Sequence, residues 1–232
     1  MRQTTNRNEV KRTALTILTI LLCVAGFAQP KLQREEMYVG AHGGAIASMY
    51  RFTPQVTQTW KHPFLGWNAG LVYRYAGHKV CGMQVEINYM QRGWYEPETD
   101  YTRQLDYIEV PFLMHLYFGK RARGFFNLGP QIGYCIYSSE KGNVPEIYDI
   151  ARKAGANSKS AHQYAKIEKP FDWGLAAGLG FYYRSKYAGV YQLEARFNWS
   201  FGNTFNDSKM DYFDYSNPMS LSLNFAYMWQ VK

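Results

Sequence analysis

The chain has 232 residues, 47% hydrophobic, 19% charged and 17% aromatic, with a formal net charge of +8. Its 20 Tyr, 14 Phe and 6 Trp exclude a disordered chain, and a single uninterrupted apolar run excludes a polytopic helical membrane protein. Abundant aromatics together with 20 Gly favour strands, and the length suits one all-β domain.

The apolar run comes first in the chain. Arg2, Arg7, Lys11 and Arg12 against one Glu9 form a basic leader, followed by the apolar stretch Ala14 to Phe27. That stretch is shorter than the ~20 residues a spanning helix needs. It ends Gly26-Phe27-Ala28 before Gln29, so residues 1–28 are expected to be a secretory signal peptide, cleaved after Ala28. Removing it leaves 22 Lys and Arg against 17 Asp and Glu, too modest and dispersed a charge for nucleic acid. Only Cys81 and Cys135 remain, which is no disulfide framework.

Residues 29–232 then alternate with period two almost throughout, which predicts eight strands. The first, Tyr38–Met49, is the weakest, setting Val39, Ala41, Ala45 and Ala47 against Gly40, His42, Gly44 and Ile46. Leu65–Tyr75 and Cys81–Met90 follow, with Arg74 and Glu86 on their polar faces. In Ile108–Phe118 the apolar Ile108, Val110, Phe112 and Met114 oppose Glu109, Pro111, Leu113 and His115. Phe126–Ile136, Phe171–Tyr183, Tyr191–Phe201 and Met219–Gln230 complete the series.

The expected lengths of ten to fourteen residues exceed the usual ~5–6 of soluble strands and match a tilted membrane-crossing strand. Connections alternate long and short: 50–63 long, 76–79 short, 95–104 long, 119–124 short, 139–170 very long, 184–189 short, 202–217 long. This is the rhythm of an eight-stranded antiparallel up-and-down transmembrane β-barrel with short periplasmic turns, long extracellular loops and both termini inside.

Alternation alone does not say which face points in. Lys is nearly absent from the strands, the polar faces carry Gly and pairable charges, and Trp60, Trp67, Trp94, Trp173, Trp199 and Trp229 lie toward strand ends, as interfacial girdles require. These features favour apolar residues outward, in the outer membrane of a Gram-negative bacterium, over a soluble ligand-binding barrel. Eight strands leave a lumen that side chains fill. Arg74, Arg92 and Arg196 with Glu86, Glu109 and Glu194 are therefore expected to form a mutually paired ion-pair core that holds the barrel shut, and His115 to join this polar lumen.

Three segments carry a family resemblance: Asp106-Tyr107-Ile108-Glu109-Val110-Pro111-Phe112-Leu113, Phe126-Asn127-Leu128-Gly129-Pro130-Gln131-Ile132-Gly133-Tyr134, and Asp172-Trp173-Gly174-Leu175-Ala176-Ala177-Gly178-Leu179-Gly180. Across the mature chain the sequence resembles the PorT-like outer-membrane β-barrel family of Bacteroidetes. The resemblance implies the barrel fold and outer-membrane location, and one named branch assists a secretion system. Barrels of this kind commonly end on an aromatic read by the barrel-assembly machinery; here the chain ends Trp229-Gln230-Val231-Lys232, and Trp229 takes that place.

Catalytic constellations are thin. His42 and His115 are expected to face the lumen, neither has a Ser two residues away, and Cys and His show no metal spacing, so no cofactor or enzyme activity is expected. Cys81 should lie at the periplasmic end and Cys135 near the extracellular end, too far apart for a disulfide. Interaction belongs to the 139–170 loop, where Pro145–Lys153 reads as a short helix. Its Tyr148, Arg152, Lys153, Lys159, Lys166 and Lys169 are the candidate contacts, for lipopolysaccharide phosphates or an envelope or extracellular protein. The expected role is structural or surface interaction, among outer-membrane lipids. An accessory part in secretion or envelope assembly and a lipid-A-modifying enzyme remain alternatives, the latter requiring a His–Ser pair on the lipid face.

Overall fold

The computed structural model describes residues 35–53, 62–97, 100–142, 166–167, 169–185, 188–205 and 215–231. The expected signal peptide and the expected helix at Pro145–Lys153 lie outside these residues. Eight strands form one closed antiparallel barrel in chain order: β1 (Glu36–Thr53), β2 (Phe64–Ala76), β3 (Cys81–Glu96), β4 (Tyr101–Gly119), β5 (Ala122–Lys141), β6 (Phe171–Arg184), β7 (Val190–Ser200) and β8 (Tyr215–Gln230). β1 closes the ring on β8 from Tyr38↔Gln230 to Thr53↔Tyr215, which removes the open edges that a sheet would otherwise expose.

The direction of the side chains settles the inversion. On β8, Leu221, Leu223, Phe225 and Trp229 are each more than half exposed, whereas Ser220, Ser222 and Asn224 are at most 3% exposed. The same sense holds on every strand, so the barrel wears a continuous apolar belt outside and a polar interior. Such a belt has no place in water and matches the lipid face of a membrane barrel. Aromatic contacts ring it at both margins: Trp173–Phe201 and Trp199–Phe201 toward the long-loop end, Tyr191–Tyr227 and Tyr227–Trp229 toward the termini. Trp94 departs from the expected girdle. It points into the barrel, fully buried between the rings of Tyr50, Phe52 and Phe205.

Strands run from 11 to 20 residues, longer than the alternation suggested. The segment 95–104, expected as a long connection, is mostly strand. β3 and β4 stay paired from Gln91↔Asp106 to Glu96↔Tyr101, and the turn between them ends at Asp100 with φ of 50°. The reason lies inside: Trp94, Tyr101 and Leu105 keep the alternation going and join one buried aromatic cluster. β5 likewise continues to Lys141, so the next connection begins at Gly142. A β-bulge separates Asp106↔Tyr137 from Tyr107↔Cys135, leaving Ile136 as the extra residue. Ile136 and Tyr137 both face out, and Ser138 then returns to the inner face to accept a hydrogen bond from Arg103 Nε at 3.0 Å.

Candidate functional site

The lumen is layered. At the periplasmic end Tyr38, Val72, Tyr117, Phe125, Tyr182, Val190 and Met228 form one apolar layer; at the other, Tyr50, Phe52, Trp94, Tyr101, Leu105, Tyr107, Cys135 and Phe205 form a second. Between them lies the polar core.

Its centre is Arg196 on β7. The guanidinium donates Nη1 to Glu86 Oε2 and Nη2 to Glu86 Oε1, both at 2.6 Å, in a bidentate fork across the barrel. It also donates to Glu194, through Nη2 at 2.8 Å and Nε at 3.1 Å. Amides complete the carboxylates: Gln84 and Asn88 donate to Glu86, Asn127 and Gln192 to Glu194. His42 Nε2 lies 2.7 Å from Asn88 Oδ1 and 3.4 Å from Glu86. Charges this deeply buried persist only when paired and hydrogen-bonded, and these are.

A second centre sits one layer nearer the extracellular end. Arg92 pairs with Glu109 and donates to Asp172 at 2.9 Å and to Ser200 at 3.0 Å; Ser200 in turn donates to Asp172 at 2.6 Å. The Arg92 guanidinium lies over the Tyr107 ring at 5.3 Å.

Sequence and network meet at two glycines. Gly70 lies between His42 and Asn88 in the ladder of β1, β2 and β3, and a Cβ there would stand 2.2 Å from Asn88 Oδ1 and 2.9 Å from His42 Nε2. Gly178 lies between Asn127 and Arg196 across β5, β6 and β7, with the Glu194 carboxylate over it. Without a side chain on the middle strand, polar groups of the two outer strands close over it and meet.

Of the seven lumen residues expected from the sequence, Glu86, Glu194 and Arg196 are brought together in one cluster and Arg92 with Glu109 in another. Arg74 differs from the expected mutual charge pairing, and His115 is buried in the lumen. Arg74 donates to the side-chain oxygens of Gln84 and Gln192 and lies 5.1 Å over the Tyr182 ring, with no carboxylate on it among the described residues. His115 bonds Asn127 at 2.7 Å and stacks on Tyr117. The strand pattern placed these residues inward, but their partners depend on which rungs face across the lumen. For the same reason sequence reasoning missed Asp172, the second carboxylate on Arg92, and the bridging amides Gln84, Asn88, Asn127 and Gln192.

Tyr148, Arg152, Lys153 and Lys159 lie outside the described residues. Lys166 is exposed, and the Lys169 backbone N–H donates to Thr204 at 3.2 Å. Cys81 and Cys135 are free, at opposite ends of the barrel.

A family model of the outer membrane protein beta-barrel domain matches residues 27–206. The chain belongs to this outer-membrane β-barrel family. No curated protein matches its sequence. Among solved structures this outer-membrane barrel is similar to Ail, the attachment invasion locus protein of Yersinia pestis, at 14% identity over 84% of this chain and 99% of that one, with a TM-score of 0.42. It is also similar to OprG from Pseudomonas aeruginosa (11% identity, 84% and 95% covered, TM-score 0.47) and to Neisserial surface protein A (12%, 84% and 99%, 0.44). The outer-membrane barrel therefore resides in the outer membrane, which accounts for its lipid-facing belt. The gap among His42, Glu86, Gln192, Glu194 and Arg196 is too tight to hold a water molecule.

Proposed function

We propose that this is a non-conducting, non-enzymatic barrel of the PorT-like branch, a rigid structural pedestal that presents its extracellular connections to a partner at the cell surface. The single observation that carries the reading is the bidentate Arg196–Glu86 fork, which ties β7 to β3 through the middle of the lumen. Apolar layers above and below it add two further seals. His42 and His115 also turn inward onto Asn88 and Asn127, away from the lipid face where a lipid-A-modifying site would need a base. The segments Asp106–Leu113 and Asp172–Gly180 support the PorT-like assignment. The contact surface we assign to Tyr148, Arg152, Lys153, Lys159, Lys166 and Lys169, whose basic groups suit lipopolysaccharide phosphates or an acidic envelope protein.

Planar-bilayer recording tests the closed lumen. The folded protein is expected to give no discrete conductance steps, and regular openings in the unmodified protein would refute the pedestal reading. A pull-down from envelope extract, with residues 143–165 intact or replaced by a short Gly/Ser linker, tests the loop. Capture of a surface component is expected only when the segment is present.

A further inference from the structure

The periplasmic rim carries a group of cations that the lumen network does not use. The β2–β3 and β4–β5 turns are neighbours and are tied together, because the Tyr117 backbone N–H donates to the Val80 carbonyl at 3.0 Å and the Tyr117 hydroxyl donates to the His78 carbonyl. The β6–β7 turn joins them where the Arg184 N–H donates to the Arg121 carbonyl at 2.9 Å. The three turns thus form one platform.

The platform's charges divide into two sets. Arg123 and Arg184 turn toward the barrel mouth and both pair with Glu36, at 3.1 and 2.5 Å. Arg123 Nε also donates to the Lys120 carbonyl at 3.0 Å, fixing the turn that carries Lys120 and Arg121. Lys79, Lys120 and Arg121 are exposed and, among the described residues, have no acidic partner. Glu36 is already held by these two arginines, and its neighbour Glu35 is the other acid at this end of β1. Just above these cations lies the lower edge of the apolar belt, where Val80 is 51% and Phe118 71% exposed.

A cationic step beneath an exposed aromatic is complementary to a phosphodiester with acyl chains attached. Basic groups at this depth meet headgroup phosphates while the apolar side chains remain in the hydrocarbon. We infer that Lys79, Lys120 and Arg121, with Phe118 and Val80 above them, form a docking site for an anionic phospholipid of the periplasmic leaflet. The site joins two turns through one headgroup, which ties the lower rim of β2 to β5 to the leaflet.

The test is native mass spectrometry of the full mature chain in neutral detergent, titrated with phosphatidylglycerol or with phosphatidylethanolamine. The wild type is expected to bind phosphatidylglycerol the more tightly. The triple variant K79Q/K120Q/R121Q should lose that preference, by about fivefold for each charge removed. A charge-keeping variant, K79R/K120R, should retain it, and both variants should keep the wild-type heat-modifiable gel shift. Millimolar inorganic phosphate is not expected to displace the lipid, because the apolar contacts belong to the site. Phe118→Ser, which removes the main apolar contact, should weaken phosphatidylglycerol binding. Equal affinity for the two lipids in the wild type, an undiminished preference in the triple variant, or displacement by phosphate alone would each overturn the inference.

Discussion

Arg196 carries two buried carboxylates, so the consequences of losing it are asymmetric. Arg196→Met leaves Glu86 and Glu194 buried without their cation, and breaking a buried pair in this way typically costs about 3–5 kcal/mol. Urea unfolding in lipid vesicles is expected to show that loss, and adding Glu86→Gln to the same chain should recover part of it. Gly178 gives a finer test. A Cβ there would meet Glu194 Oε1 at 2.1 Å, on a carboxylate that Asn127 and Arg196 hold in place. At Gly133 the nearest atom would be Glu109 Cγ at 3.3 Å. Gly178→Ala should therefore destabilise by about 1–3 kcal/mol and Gly133→Ala by less than about 0.5 kcal/mol, measured in the same unfolding assay. At this scale the sequence was informative about direction and silent about partners. Arg74, Glu86 and Arg196 stand on polar faces, which any alternating strand reveals. That Arg196 meets Glu86, 110 positions away, depends on barrel stagger, which local pattern does not encode.

At the scale of elements, the bulge in β5 decides which way its upper end faces. Alternation runs cleanly from Phe126 to Ile136, then two consecutive residues face out and Ser138 and Glu140 return to Arg103. Deleting Ile136 restores a regular ladder and keeps Ser138 inside, so the deletion should fold and keep its heat-modifiable gel shift. Deleting Ile132, by contrast, leaves residues on one side of the deletion out of phase, turning one segment's polar face toward lipid, and should abolish folding. Failure of the Ile136 deletion alongside the Ile132 deletion would show that the bulge is required. The same region explains where strand limits escaped the sequence. Glu96-Pro97 and Asp100 read as loop residues, yet Trp94 and Tyr101 on either side pack into the lumen and hold β3 and β4 together up to the turn. Turn residues mark where a chain can reverse, not how far the flanking strands stay paired.

For the whole molecule, closure of the ring and inversion of its faces belong together. Eight strands leave room only for side chains, so a polar interior has to satisfy itself with internal ion pairs and amides, while the outer surface is left to lipid. Strand number, alternation and the inverted sense were legible because each repeats along the chain. The layering of the lumen, with aromatic seals on both sides of the charge network, was not, because it assembles one or two residues from each strand. The most direct test of this arrangement is a scan of single nitroxide labels through residues 219–226 of β8 in lipid bilayers, reading collision with oxygen. Odd positions should be accessible from the lipid phase and even positions shielded, with a strict period of two; the opposite phase, with even positions accessible, would contradict the inverted barrel.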